Sequence, residues 1–219
     1  MIFKNRTAAG QVLAGQLSNY VDRPDVIVLA LPRGGVPVAF EVAKALNAPL
    51  DVFLVRKLGV PDQEELAMGA IAMGDVRVLN REIVKGLHLS EAAIEMVAMK
   101  ERHELERREQ RYRDDRPEPV VRDRTVILVD DGLATGATMR VAVKALQQQH
   151  PAKIVIAVPI AAPEICQALR VEVDTVICAE TPQPLRGVGL WYDDFSQTTD
   201  EEVCDLLQRT ANWQLTANS

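Results

Sequence analysis

Residues 126–139 read VILVDDGLATGATM: four apolar positions, two adjacent carboxylates, and a run of Gly, Ala and Thr broken only by Leu133. The apolar positions end a short β-branched run, TVILV (Thr125–Val129), with no polar residue after Thr125 to turn toward water. A strand of that kind is covered on both faces, as in parallel sheets flanked by helices. In such sheets ligands bind beyond the carboxyl ends of the strands, and Asp130–Thr138 occupies one of those ends.

The rest of the chain repeats the theme. VIVLAL (Val26–Leu31), DVFLV (Asp51–Val55), KIVIAV (Lys153–Val158) and TVIC (Thr175–Cys178) are further, nearly continuous apolar runs. Val38–Leu46, Thr138–Gln149 and Ala162–Leu169 space their apolar residues by three and four, as crossover helices do. The alternation predicts an α/β fold with a doubly wound, mainly parallel sheet.

Two segments depart from it. Asn80–Arg113 holds a short helical stretch and then a charged one, with Ser90 as N-cap, a thin apolar stripe (Ile94, Ala98, Leu105, Tyr112) and the i,i+4 pairs Glu104–Arg108 and Glu109–Arg113. It reads as a helical excursion over residues 80–116, solvated or facing another subunit of a homodimer, with His103 on its surface. TPQPLRGVGLWYDDF (Thr181–Phe195) is too rich in Pro and Gly for a regular element and reads as a hood or lid within 180–198. A last helix begins near Thr199, where Thr199 and Glu202 have capping-box spacing.

Bulk properties narrow the class. A chain of 219 residues, 47% apolar and 26% charged, suits one folded domain and excludes disorder. A formal charge of −6 weighs against a nucleic-acid partner, although a local basic patch stays open. Cys166, Cys178 and Cys204 form no C-x-x-C pair and read as buried thiols, with neither disulfide nor zinc. The N-terminus has no secretory apolar stretch, and the longest apolar run, near Ile154–Pro163, is too short to span a bilayer. A cytoplasmic protein without a membrane partner is expected.

The chemistry concentrates after TVILV. Paired carboxylates at a strand end suit a vicinal diol, whose hydroxyls need acceptors, or a hydrated Mg²⁺, which needs hard oxygens. GLATGAT then leads into a helix, so backbone N–H groups of Ala134, Thr135, Gly136, Ala137 and Thr138 can converge at its positive end as a phosphate cradle. A P-loop is excluded, because no Lys follows the last Gly. Diol acceptors beside a monophosphate cradle describe a ribose-5-phosphate site.

The segment resembles the phosphoribosyl-pyrophosphate (PRPP) signature of type I phosphoribosyltransferases: an apolar strand, two acids, then a T-G-x-T loop. The resemblance covers roughly residues 26–195, with Asn80–Arg113 fitting least well, and implies the fold of that family with a small C-terminal hood. It implies that PRGG (Pro32–Gly35) is the pyrophosphate loop, with Arg33 and the amides of Gly34 and Gly35 on the diphosphate, and that Pro32–Arg33 is a cis peptide. RKLGVPDQEELAMG would be the mobile loop, bringing Arg56 and Lys57 to the leaving group. Glu180 and Pro182 resemble the purine-salvage branch, which makes Leu185, Trp191, Tyr192 and Asp193 acceptor-pocket candidates, although the register needs a one-residue gap after Pro184. Ala134 departs from that branch, where an Asp near the acceptor base is common.

The implied reaction is displacement of pyrophosphate from Mg·PRPP by a nitrogen nucleophile of a small-molecule acceptor. Arg33 and Lys57 would stabilise the leaving group, while Asp130 and Asp131 would hold the ribose hydroxyls; Mg²⁺ would be held mainly through PRPP and water, with Asp130 and Asp131 as its protein contacts. A non-catalytic PRPP or nucleotide sensor would keep the cradle and the diol grip; cations at both Arg33 and Lys57 favour the enzyme. A receiver-like phosphoacceptor domain would carry its acids on the first strand, and here they follow the third large one.

Overall fold

The computed structural model describes residues 2–74, 76–113 and 116–217, with side chains except at 65 and 211–217. Five strands form one parallel sheet in the order β2-β1-β6-β7-β8: β1 (Val26–Ala30), β2 (Leu50–Val52), β6 (Thr125–Val129), β7 (Lys153–Ile160) and β8 (Thr175–Glu180). Alternate residues along β1 serve opposite faces. Val26, Val28 and Ala30 join a core with α1 (Arg6–Gly15) and α2 (Gly35–Leu46). Ile27 and Leu29 join a second core with α5 (Ala137–Gln148) and α6 (Pro163–Leu169). Burial on both faces is why these strands read as unbroken apolar runs.

Helix α1 was not foreseen. Asn5 caps it by accepting from the Ala8 amide at 2.9 Å, and Ala9, Leu13 and Ala14 are buried. Its residues are small and weakly patterned, so only the packing of α1 against α2 reveals its apolar side.

DVFLV is not one strand. It divides into β2 and the start of a second, antiparallel sheet, β3 (Val55–Val60), β4 (Gln63–Ala72) and β5 (Val76–Leu79), in the order β3-β4-β5. Arg56 and Lys57 therefore stand inside a hairpin that follows the carboxyl end of β2. The stretch expected as a mobile loop forms this hairpin, with register shifts around Gly59.

The charged segment is α3 (Arg81–Gly86) and α4 (Glu91–Arg113). The Ser90 hydroxyl accepts from the Ala93 amide at 3.2 Å, as a cap should. Ile94, Ala98, Leu105 and Tyr112 are buried and share a core with Leu58, Val60 and Met68 of the hairpin. The stripe is narrow, yet it faces an equally apolar hairpin, while the outward side of α4, Met96 and Met99 included, is exposed. Glu104 and Arg108 pair at 2.7 Å; Glu109 and Arg113 pair at 2.9 Å. Arg113 is only 1% exposed and lies 3.4 Å from Asp51, which ties the end of α4 to β2. Burial lifts the Asp51 carboxyl above its ordinary range in spite of the guanidinium. His103 is exposed.

Because Leu58 and Val60 are buried under α4, their amides should exchange slowly in the ligand-free protein. Hydrogen-exchange mass spectrometry checks this; exchange at the rate of an exposed loop would mean that the hairpin detaches from α4.

Cys166 and Cys178 form a disulfide, contrary to the expectation of free thiols, while Cys204 is free. Spacing alone does not show this pairing, because one cysteine lies on α6 and the other on β8, and only the packing of that helix on the sheet brings them together. Helix α7 (Asp200–Ala217) is the last described element, with the Thr199 hydroxyl accepting from the Glu202 amide at 3.1 Å. Among the described residues, no helix is long and apolar enough to cross a membrane.

Candidate functional site

From β1 the chain crosses to β2 on one side, while β6 lies on the other, so the order of the sheet reverses between β1 and β6. The loops after these two strands, PRGG and DDGLATGAT, consequently meet at the switch point, where doubly wound sheets open a crevice.

The two loops are in close contact. The Gly35 amide donates to Leu31, and the Leu31 amide to Val129 at 2.9 Å. A methyl group on Gly35 would lie 2.8 Å from the Val129 carbonyl oxygen and 3.0 Å from the Asp130 Cα; one on Gly34 would collide with the Asp131 carboxylate. Pro32–Arg33 is a cis peptide, in accord with the expectation. Gly35→Ala should cost about 1–3 kcal/mol, because the obstructing atoms are backbone and cannot rotate aside. A urea midpoint equal to that of the wild type would show that the loops separate freely.

Asp130 and Asp131 stand where β6 ends, and the Asp131 amide donates to the Asp130 Oδ1 at 2.9 Å. Burial, reinforced by the charge of Asp131, pushes the Asp130 carboxyl well above its ordinary range. Burial also raises Asp131, partly offset by Arg6, whose Nε donates to the Asp131 Oδ2 at 2.8 Å. Arg6 further donates to the Ser196 carbonyl at 2.6 Å and stacks 4.0 Å from the centre of the Phe195 ring. The two acids are thus unequal: Asp131 is held by a guanidinium, whereas Asp130 is met by its neighbour's amide and by no cation of its own among the described residues. Arg6 was not anticipated; it comes from the start of α1, 125 residues away in sequence from its partner.

The cradle is open. Gly136 has φ +70° and begins α5 with no side-chain cap, while Ala134, Thr135, Ala137 and Thr138 are exposed. The Thr135 hydroxyl accepts from the Ala137 amide at 3.4 Å, and a methyl on Gly136 would lie 3.0 Å from Ile165. A glycine is required here both by the left-handed backbone and by the approach of α6.

Of the expected cations, Arg33 lies 3.8 Å from Asp200, which also accepts from Tyr112 and pairs with Arg111 at 2.8 Å. Arg56, paired with Glu101 at 2.6 Å, shares a cavity with Pro32 and Thr138. Lys57 is exposed and lines the neighbouring cavity at the hairpin tip, beside Arg56 and Lys100. Arg56 thus lies beside the PRGG loop, whereas Lys57 stands toward the hairpin tip.

The acceptor candidates divide. Tyr192 is buried, stacks between Phe3 and Phe195 with ring centres 5.6 and 4.9 Å away, and donates its hydroxyl to the Asp131 carbonyl at 2.6 Å. Its phenol is raised by burial and by the charge of Asp131. It supports the acidic turn and offers no free edge to a ligand. Trp191 and Leu185 are half-buried against the same small core, and Asp193 is exposed, with its amide bonded to Phe3. Val188 was not anticipated: it packs so tightly over Gly132 that a methyl there would overlap it. No sequence pattern marks a lone Val in an irregular loop.

The architecture is that of a doubly wound α/β protein whose crevice is made by a glycine-rich loop and an acidic turn. The model of the family described as "Phosphoribosyl transferase domain" matches residues 2–184. The chain belongs to this family. It is 47% identical over 208 residues to the Mycobacterium tuberculosis protein named "Putative phosphoribosyl transferase Rv0571c", covering 95% of this chain and 47% of that one. The chain thus spans about half the length of the curated relatives it matches. Among solved structures, TT1426 from Thermus thermophilus superposes with a TM-score of 0.86 at 40% identity, covering 95% of this chain and 99% of that chain. The AQ2163 protein from Aquifex aeolicus, with a TM-score of 0.50 and 13% identity over 92% and 84% of the two chains, shares the fold alone.

Proposed function

We propose that the protein transfers ribose-5-phosphate from Mg·PRPP to a nitrogen nucleophile, most simply a nucleobase, with release of pyrophosphate. The observation that carries this reading is the meeting of the PRGG loop, the acidic turn and the open α5 cradle at one crevice of the sheet. The cradle would take the 5′-phosphate, Asp130 the ribose hydroxyls, and the amides of Gly34 and Gly35 with nearby cations the diphosphate. Holding both ends of PRPP aligns its C1 with an acceptor, and cations at the leaving group stabilise the charge that develops there.

Among the described residues no cluster of three or more His, Cys, Asp or Glu could hold a metal alone. Asp130, a hard oxygen donor paired with no cation among the described residues, fits an ion carried mainly by PRPP and water; Asp131 is committed to Arg6. Such a Mg²⁺, when bound, would neutralise part of the diphosphate charge. Calorimetric titration with Mg·PRPP, followed by a screen for pyrophosphate release over purines, pyrimidines and amines, tests the proposal. Binding without turnover across the screen would favour a sensor, and absence of binding would overturn both.

Ala134 is exposed at the mouth of the cradle and can neither accept a proton nor pair with a base edge. Hypoxanthine and guanine should therefore be poor acceptors, about a hundredfold or more below an enzyme with a carboxylate there, given the usual value of general-base catalysis. Steady-state rates with guanine, measured for the wild type, Ala134→Asp and Asp193→Asn, decide this. Efficient guanine turnover by the wild type, unaffected by Asp193→Asn, would show that no carboxylate is needed.

A further inference from the structure

Helix α4 does more than cover the hairpin. Its Leu105 and Arg108 line the same cavity as Leu31, Pro32, Arg56 and Thr138, so a segment that fits the family pattern least well reaches the crevice between the PRGG loop and the start of α5. Arg56 and Arg108 both line that cavity, beside the apolar Phe53, Leu54 and Val55, and each guanidinium is paired with a carboxylate of α4: Arg56 with Glu101 at 2.6 Å and Arg108 with Glu104 at 2.7 Å. Glu104 also holds Arg107, and these two arginines bring its carboxyl down to about 2, so it is fully ionised at neutral pH. Arg33 is meanwhile turned toward Asp200. A diphosphate carries several negative charges and is best met by planar guanidinium forks.

We propose that Arg108, acting with Arg56, grips the diphosphate of PRPP, and that Glu101 and Glu104 hold these guanidiniums until the ligand displaces them. The assignment rests on the phosphoribosyl reading of the crevice. It gives α4 a direct binding function and makes Glu104 a competitor of the ligand. Removing that carboxylate should strengthen diphosphate binding, whereas a purely structural ion pair would make both single substitutions harmful or neutral.

The experiment is isothermal titration of wild type, Arg108→Gln, Arg108→Lys and Glu104→Gln with three probes: Mg·PRPP, Mg·pyrophosphate and ribose-5-phosphate. Arg108→Gln should weaken the two diphosphate ligands about tenfold or more and leave ribose-5-phosphate within about twofold; Arg108→Lys should fall between, and Glu104→Gln should tighten pyrophosphate about threefold. Equal loss for all three probes would make Arg108 a structural residue and overturn the assignment, as would unchanged PRPP affinity in Arg108→Gln. Should that variant fail to fold, Arg108→Lys and Glu104→Gln carry the test, and weaker or equal pyrophosphate binding by Glu104→Gln overturns it. If the wild type binds neither PRPP nor pyrophosphate, the phosphoribosyl reading itself fails and takes this assignment with it.

Discussion

Asp130→Asn is expected to bind Mg·PRPP roughly ten- to a hundredfold more weakly than the wild type, corresponding to about 1.5–3 kcal/mol for a charge-assisted hydrogen bond, while unfolding at a higher denaturant concentration. The two effects share one cause. In the free protein Asp130 is disfavoured as an anion by burial and by Asp131 beside it, so a neutral amide of the same shape relieves an unfavourable charge. The variant should therefore gain stability at neutral pH, where the buried carboxyl of the wild type is held against its preference for the neutral form. Since the carboxyl is raised in the folded state, the folded chain takes up its proton at a higher pH than the unfolded chain does. The stability due to this group therefore increases as pH falls from above its folded pKa to below the ordinary value near 4, and the increase is absent in Asp130→Asn. Ligand affinity should move the opposite way over that window, because a protonated carboxyl offers fewer acceptors to ribose hydroxyls. Titration of PRPP and urea unfolding at several pH values measure both. Wild-type affinity retained in the variant would falsify the ribose role.

Arg6→Ala should be the most destabilising of the substitutions considered, by about 2–4 kcal/mol at neutral pH. Both side chains of the Arg6–Asp131 pair are largely shielded, at 11% and 16% exposed, and removing the cation leaves an uncompensated carboxylate beside Asp130. The Ser196 carbonyl and the Phe195 ring also lose their contact, so the 192–196 segment loosens from the acidic turn. Without Arg6 the Asp131 carboxyl rises further, so the penalty is fully present above its pKa and fades as acid neutralises it. A double-mutant cycle with Asp131→Asn separates charge from packing: most of the loss should vanish when both partners are neutral. A penalty of the same size at pH 4 and pH 8, or one undiminished in the double variant, would assign the role of Arg6 to packing alone.

How far the sequence carried depended on whether the signal was local. TVILV, VIVLAL and KIVIAV announced strands buried on both faces, because beyond the leading Thr125 and Lys153 nothing in them could turn to water, and the TGAT run announced a helix start with exposed amides. Both properties are fixed by neighbours within a few residues. DVFLV misled for the same reason: an apolar run does not record which sheet it joins, and only the packing of α4 on the hairpin separates β2 from β3. The stripe on α4 was visible, but its thinness suggested solvent, since the matching apolar face of Leu58, Val60 and Met68 lies on another element.

The sequence by itself determined the doubly wound class, the position of the acidic turn and the glycine-containing helix start after it, because strand burial, helix starts and glycine turns are written in contiguous residues. Tertiary structure alone decided that Asp131 is neutralised by Arg6, that Tyr192 supports the turn, that Cys166 bonds to Cys178, and that Arg108 and Arg56 share a cavity with Pro32. Each of these joins groups on different elements, and the free energy of such a contact depends on burial and distance that no stretch of sequence contains.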